Sequence, residues 1–544
     1  MDYPEDSQAE DQDSILTKSI DIHERLKASY TYASAKKALK EEISKGKYRL
    51  QELEEMLPKL LRDLGLEIQL KNKINDIFQD ITGSDLGSVR GALGERLPLP
   101  PLPAFFSNAA VEPLDCIERA RNQWSSQVLA RVRDLSITMG LPLVRARAEA
   151  WVWALPEEVK KEETPDDAPE QVDLPQFPDN VVSIYDEAML FNLILSLDNG
   201  NYACSTIDWC SVRLHLKTLN ADQLLNEYEE LDISYKQCGI DEDSAFIEER
   251  LSLGERLLDK DYVPYLVQYA KRGMPSGQRC QVYMKILDVN MTSKDLEYFD
   301  FLGEQMKWEL LLDPILQMDV RDCCNDDHYF IFQEIIEKVV FFFMRDPWVE
   351  ENLKSRCGTP LVLKGADRKE LGCFPPAGLV PIKHFSRYVA PFAFLSDRVE
   401  EVYYVFRSFY CRYFCYLNSL TSHPKGIISL CRLFEETLQT CESDLMYYLD
   451  SLGVSPLRLA FPWITYAFVG YLEVDQVLLL WDRVLGYDSL DVIALFAAAL
   501  IAYRSEQIMQ LNSQEEIEDL FYDMQHVKTV PILQHILIYE RQTS

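Results

Sequence analysis

Apolar side chains recur at helical spacing along most of the chain. Leucines at steps of three and four residues share one face of a helix. The clearest run of this kind is Leu50, Leu53, Leu57, Leu60, Leu61 and Leu64. Residues 14 to about 92 are therefore predicted to form long amphipathic helices, arranged as a hairpin or a short coiled coil. Helical patterns resume over about 113–154 and 181–260, and apolar helices follow from about 262 onward. The predicted fold class is all-α.

One helix, predicted over Val402–Leu417, is apolar nearly all round. A helix of this kind is typical of a central core rather than of a cofactor site. Its aromatic residues are Tyr403, Tyr404, Phe406, Phe409, Tyr410, Tyr413, Phe414 and Tyr416.

Two segments interrupt the helical pattern. Residues 97–103 read LPLPPLP, which indicates a stiff connector or, alternatively, a polyproline ligand for an SH3 or WW domain. Residues 156–180 contain five prolines, nine acids and two lysines. Because that segment has too few apolar side chains to offset the entropy of ordering, it is predicted to be an acidic linker.

Charge excludes several classes of partner. The chain has 544 residues, with 88 acids against 55 Lys and Arg, and a formal charge of −33. Nucleic-acid backbones and anionic lipids both reward clustered cations, so we expect neither as a direct partner. The first 14 residues hold six acids and no base, unlike a secretory or transit signal. The longest charge-free apolar helical stretch, Leu459–Leu472, is shorter than a membrane span needs. We predict a cytoplasmic protein without direct membrane insertion, recruited to any membrane through a partner.

Motifs for self-contained catalysis are missing. The sequence has no P-loop, dinucleotide fingerprint, HExxH or GxSxG pattern. Its seven histidines do not stand at ligand spacing. The neighbouring cysteines Cys323/Cys324 and Cys411/Cys415 lack the partners of a zinc site. We predict no metal and no cofactor.

Two blocks of residues carry a family resemblance. Lys271-Arg-Gly-Met-Pro-Ser-Gly-Gln-Arg279, with Tyr283 after it, starts a helix behind a Gly-x-Pro. The second block runs from Ser443 to about Ala502. Its spaced positions are Gly453, Pro456, Phe461, Trp463, Phe468, Trp481 and Asp482.

These blocks resemble the TBC domain family. Gly273, Pro275 and Arg279 match the family's opening motif, and Tyr283 replaces its Trp. Trp463, Trp481 and Asp482 match its later array, and Asp346-Pro347 and Ala390-Pro391 fall where the family has comparable features. The resemblance implies a multi-helical TBC-type domain behind a helical N-terminal region. The predicted divisions are an acidic disordered tail (1–14), a helical N-terminal region (15–155), the acidic linker (156–180), a helical connecting region (181–261), the TBC-like domain (262–510) and a helical extension (511–544).

The resemblance also implies a partner and an activity. TBC domains act on GTP-bound Rab-family GTPases as activators of hydrolysis, which serves vesicle trafficking. They insert an arginine from an Ile-x-x-Asp-x-x-Arg motif and a glutamine from a Tyr-x-Gln motif. An inserted guanidinium can accelerate hydrolysis by about 10³–10⁵. Such a protein is an activator of its partner rather than an enzyme with its own substrate.

The arginine motif is altered in this chain. Leu316-Gln-Met-Asp-Val-Arg-Asp322 keeps Asp319 but has Asp322 at the arginine position, while Arg321 stands one residue early. One residue rotates a helical side chain by about 100°. Acids at 313, 319, 322, 326 and 327 surround the motif, so Arg321 is a candidate finger or, alternatively, a residue paired with those acids.

The glutamine motif is lost. Gly378-Leu-Val-Pro381 stands at the family's position, so that Leu379 replaces the Tyr and Pro381 the Gln. No glutamine occurs between Gln333 and Gln439, and the nearest polar group for orienting water is His384.

Three functions therefore stay open. In the first, the chain is a Rab GTPase-activating protein that uses Arg321, beside Asp319, together with the Rab's own glutamine. Alternatively, it is a catalytically inactive TBC-fold scaffold or adaptor that still binds a Rab. In the third, Rab binding is lost and the N-terminal helical region carries the main partner, whose identity the sequence does not indicate.

Overall fold

The computed structural model describes residues 23, 25–45, 66, 70, 73, 114–147, 183–197, 210–214, 216, 218–240, 243–326, 328–357, 362–364 and 370–543. The predictions for the acidic tail 1–14, the leucine run 50–64, the proline-rich segment 97–103 and the linker 156–180 concern residues outside this described part. The chain divides into two compact units. One comprises residues 1–96 and 364–372, and the other comprises residues 97–363 and 373–544.

In the first unit the structure describes one long helix, α1 (Tyr30–Lys45). Ser29 precedes it and satisfies backbone groups on both sides. Its hydroxyl donates to the carbonyl of Leu26 at 2.7 Å and accepts from the amide of Tyr32 at 3.2 Å. Serine is a favoured residue at this position because its short side chain reaches an unpaired amide of the first turn.

The second unit is built from helices, which confirms the all-α prediction. Its helices are α2 (Asp115–Met139), α3 (Glu187–Leu195), α4 (Ala221–Glu227), α5 (Ser244–Lys260), α6 (Val263–Ala270), α7 (Ser276–Ile286), α8 (Ser293–Glu304), α9 (Asp313–Cys324), α10 (Gln333–Arg345), α11 (Pro347–Cys357), α12 (Val399–Arg412), α13 (Ile427–Cys441), α14 (Ser443–Ser451), α15 (Pro456–Thr465), α16 (Val474–Tyr487), α17 (Asp491–Tyr503), α18 (Ser505–Ile508), α19 (Gln514–Leu520) and α20 (Thr529–Thr543). None of the described helices has the length and apolarity that crossing a bilayer requires.

Short strands accompany the helices. The strands are β1 (Val144–Ala146), β2 (Trp308–Leu310), β3 (Val362–Lys364) and β4 (Glu370–Cys373). β1 and β2 pair antiparallel, with Val144 opposite Leu310 and Ala146 opposite Trp308. Strands of three or four residues are too short to show a clear alternating pattern, so these strands were not predictable from the sequence.

Local signals in the sequence fix several helix ends. Thr292 and Asp295 form a capping box at the start of α8, in which each side chain accepts from the other residue's amide. At the C-terminal end of α2, Gly140 adopts a φ of +63° and its amide donates to the carbonyl of Ile137. Glycine is favoured there because the left-handed conformation costs it nothing.

The core is densest around α12, α13 and α17. Every residue of α12 from Val402 to Arg412 is buried, which confirms that this helix lies in the core. The predicted single helix differs in one respect: α12 ends at Arg412, and a 3₁₀ turn, Phe414–Tyr416, follows. The aromatic rings nonetheless share one cluster. Phe409, for example, lies 4.9 Å from Phe414 and 5.8 Å from Trp481, centroid to centroid.

Candidate functional site

The two motif blocks meet at a buried carboxylate. Asp482 on α16 is fully buried and accepts hydrogen bonds from the first block. Nε of Arg279 donates to Asp482 Oδ2 at 3.1 Å, the hydroxyl of Tyr283 to Oδ1 at 3.0 Å, and the amide of Met274 to Oδ2 at 3.1 Å. Burial opposes the charged form of Arg279, but Asp482 outweighs it, so the pKa of Arg279 is raised. Residues 203 positions apart thus form one junction.

Gly273 and Pro275 shape the approach to this junction. Gly273 has a φ of +81°, and a Cβ there would lie 2.6 Å from Nη1 of Arg483. Arg483 cannot easily give way, since its guanidinium donates to the carbonyls of Leu479 at 2.9 Å and Cys238 at 3.0 Å. Pro275 stands directly before α7 with a φ of −61°. The local structure therefore explains why Gly273 and Pro275 stand at these positions, without reference to a binding partner.

The two motif tryptophans are core residues. Nε1 of Trp481 donates to the carbonyl of Ala467 at 3.2 Å, and its ring lies 5.1 Å from that of Phe392. Trp463 is buried beside Phe521, with ring centroids 5.1 Å apart. Neither indole is available to a partner.

The helix that carries the predicted arginine motif, α9, packs on the segment that follows the predicted glutamine-motif positions. The amide of Ser386 donates to Asp319 Oδ2 at 2.8 Å, and the hydroxyl of Ser386 donates to the carbonyl of Asp319 at 3.0 Å. Burial raises the pKa of Asp319 to about 6 in spite of these hydrogen bonds. His384 Nδ1 lies 3.9 Å from Asp319 Oδ1. Because burial lowers the pKa of His384 to about 4, the imidazole is neutral at pH 7 and supplies no counter-charge.

Arg321 lies in the last turn of α9 with its side chain exposed. Among the described residues it has no ion pair within 4 Å. Two of the nearby acids pair with other residues instead. Asp313 binds Arg147 at 2.7 Å and Arg345 at 2.5 Å. Asp326 binds His328 at 2.8 Å. Asp322, at the position predicted for the arginine, is exposed, and residue 327 lies outside the described residues. Among the described residues, Arg321 therefore forms no ion pair with these acids.

The two positions predicted for the Tyr and the Gln of the glutamine motif hold apolar side chains. Pro381 is buried, and Leu379 is half-buried. Leu379 lines a cleft of about 100 Å³ together with Trp124 of α2 and Tyr185. The amide of Lys383 donates to the carbonyl of Tyr185 at 2.9 Å, which fixes this segment to residues upstream of the predicted TBC-like domain.

Several residues that organise these elements were missed by sequence reasoning. Ser386 holds Asp319, Arg147 holds Asp313, and Arg407 donates to Asp346 at 3.0 Å. Each partner is more than 60 positions away, and no sequence signal links such pairs. Among the described residues no group of three or more His, Cys, Asp or Glu side chains is arranged to hold a metal ion.

Comparison with known proteins identifies a family and several similar proteins. Residues 382–509 match the Rab-GTPase-TBC domain family. TBC1 domain family member 19 of Homo sapiens is 31% identical over 537 residues, covering 95% of this chain and 96% of that protein.

Two solved structures are similar at low identity. The Chlamydomonas flagellar RabGAP TBC domain is 12% identical with a TM-score of 0.39, covering 60% of this chain and 97% of its own. The Ypt/Rab-GAP domain of Gyp1p is 14% identical with a TM-score of 0.31, covering 55% of this chain and 99% of its own. Since the likeness to the Homo sapiens protein extends over nearly the whole of both chains, this chain belongs to the RabGAP-TBC family.

Proposed function

We propose that the chain binds GTP-bound Rab-family GTPases in the cytoplasm and regulates vesicle trafficking by activating their hydrolysis. Family membership supports the class of partner. The observation that carries the proposal is the contact between Asp319 and Ser386. Through it, the helix with exposed Arg321 is fixed beside the segment that follows the second motif.

The proposed chemistry is electrostatic. A Rab hydrolyses GTP slowly because charge that develops on the γ-phosphate is poorly stabilised and the attacking water is loosely held. A guanidinium inserted there contributes about 10³–10⁵ in rate, or about 4–7 kcal/mol. Arg321 is exposed, and no described acid within 4 Å pairs with it, so its charge is available to a phosphate. The second contribution, from a glutamine, has to come from the Rab itself.

A second candidate is Rab binding without acceleration, and one observation favours it. Leu379 and Pro381 occupy the glutamine-motif positions, and neither can orient water. The nearby imidazole of His384 is neutral and lies 3.9 Å from Asp319. A chain of this kind would keep the binding surface and act as an adaptor.

A single-turnover GTPase assay over a panel of Rabs separates the two candidates. We expect wild type to accelerate hydrolysis by at least one Rab, and Arg321→Ala to reduce that acceleration by about tenfold or more. Arg256→Ala, which removes an exposed cation from α5, is the matched control and should behave as wild type. An Arg321→Ala rate equal to that of wild type would contradict the role of Arg321.

Binding has to be measured beside the rate. A Rab that is retained in its GTP form, but not in its GDP form, without acceleration would favour the adaptor. Retention of no Rab in either form would contradict both candidates. It would favour a scaffold whose N-terminal helical region binds the main partner.

A further inference from the structure

A strand from upstream of the predicted TBC-like domain is built into the described structure next to α9. β1 pairs with β2, the strand that leads into α9. The pairing extends beyond the strands at both ends. The amide of Leu311 donates to the carbonyl of Leu143 at 2.9 Å, and the amide of Arg147 donates to that of Lys307 at 2.8 Å. Residues 143–147 thus pair with residues 307–311, which lead into α9, the helix that carries Arg321.

The last residue of this segment also binds the first residue of α9. Nη2 of Arg147 lies 2.7 Å from Asp313 Oδ2, and both side chains are at least nine-tenths buried. The same oxygen accepts from Nη2 of Arg345 at 2.5 Å and from the amide of Leu310 at 3.0 Å. One carboxylate therefore ties the start of α9 to α10, to β2 and to the upstream segment.

We infer that Arg147 is a positioning residue for α9 and, through it, for Arg321. Arg321 lies eight residues beyond Asp313, or about 12 Å along a helix. A tilt of about 10° at Asp313 would move Arg321 by about 2 Å, and misplacement by about 1 Å can cost 10²-fold in catalysis. The part of this inference that concerns a Rab rests on the proposed function.

The cluster allows positioning to be separated from folding. Removing Arg147 does not leave the buried charge of Asp313 alone, since fully buried Arg345 still pairs with it. The expected consequence is a loosened start of α9 rather than a general loss of structure. Arg145, two residues earlier in the same segment, provides the contrast. Its ion pair with Glu309 lies near the surface and involves no residue of α9.

Hydrogen–deuterium exchange of the full chain tests the first step. In Arg147→Ala we expect the amides of α9, residues 313–324, to exchange about tenfold faster, as loss of one charge-assisted hydrogen bond implies. Arg147→Lys keeps a cation at one contact and should restore most of the protection. Arg145→Ala is the matched control and should leave α9 unchanged. Protection of α9 in Arg147→Ala within twofold of wild type, or an equal loss in Arg145→Ala, would overturn the inference.

The second step uses a Rab that binds wild type. We expect Arg147→Ala to bind the GTP-loaded Rab about tenfold more weakly and Arg147→Lys to recover that affinity, because α9 presents the contact surface. Faster exchange in α9 with unchanged affinity would overturn the role of Arg147 in Rab contact. If wild type binds no Rab, the proposed function fails with that role. The exchange result still decides by itself whether Arg147 fixes α9.

Discussion

Asp482 and Asp319 are both motif aspartates and both buried, yet their surroundings differ. Asp482 faces Arg279 at 3.1 Å and two further donors. Asp319 is held by Ser386 and lies 3.9 Å from a neutral imidazole. The charge of Arg387 also acts on Asp319, but its effect on the pKa is smaller than that of burial. The first carboxylate is paired with a cation inside the fold, whereas the second forms no ion pair with a described Arg or Lys within 4 Å.

The contrast separates two roles within one family pattern. Some motif positions close the fold: Arg279 pairs with Asp482, and Gly273 leaves room for the guanidinium of Arg483. The positions predicted to reach a nucleotide, Arg321 and Asp322, are exposed instead. We expect the buried and the exposed motif positions to respond differently to substitution, and four substitutions test this interpretation.

The largest effect is expected at Asp482. Asp482→Ala leaves the guanidinium of Arg279 buried and unpaired, which costs about 3–5 kcal/mol of stability. Urea denaturation followed by tryptophan fluorescence measures it, with exposed Asp450→Ala as the control. A loss below about 1 kcal/mol would show that the junction is not a structural anchor.

Gly273→Ala is expected to cost about 2–3 kcal/mol. The positive φ alone costs about 1–2 kcal/mol, and the new methyl group meets the pinned guanidinium of Arg483. Gly140→Ala is the matched control, because Gly140 also has a positive φ but no atom within 4 Å of the added Cβ. Equal losses in the two variants would contradict the steric part of this argument.

Asp319→Asn is expected to stabilise the chain by up to about 3 kcal/mol at pH 7.5. Burial raises the pKa of Asp319 to about 6 from its ordinary value of 3.8, so the folded state favours the protonated acid. The stability from this group is complete below pH 4 and is lost as pH rises through 6. The advantage of Asn, which is uncharged, should therefore vanish near pH 4. Exposed Asp322→Asn is the control, and a difference independent of pH would exclude this explanation.

Arg321→Ala should change stability least, by less than about 0.5 kcal/mol, because the side chain is exposed and no ion pair with a described residue is lost. Thermal unfolding of the variant beside wild type checks this. A substantially larger loss of stability would mean that Arg321, like Arg279, stabilises the fold.

Much of the fold could be predicted from the sequence because its signals are local. Helical periodicity gave the all-α class, and the aromatic run at 402–417 gave the core helix. The end of that helix at Arg412 was not predictable, since apolar residues continue without interruption into the 3₁₀ turn. The pairing of β1 with β2 joins three-residue strands that have no pattern of their own.

The contacts around Asp482 and Asp319 were only partly predictable from the sequence. The Gly-x-Pro and Trp-Asp blocks identified the positions around Asp482. Their direct contact depends on tertiary packing across 203 residues. Likewise, five acids near Arg321 in sequence suggested an acidic surrounding, but α9 turns Asp313 and Asp319 into the interior. Spacing along a chain does not state which side of a helix is buried.

The junction at Asp482 also constrains how the chain is made. Arg279 leaves the ribosome about 10–40 s before Asp482, at 5–20 residues per second. During that time a cation destined for the interior has no partner, and α7 cannot complete its packing. Closing so long a loop is slow, because chain entropy is lost before the contact forms. We expect the nascent chain to stay open until residues near 482 emerge, and to depend on chaperones over that interval.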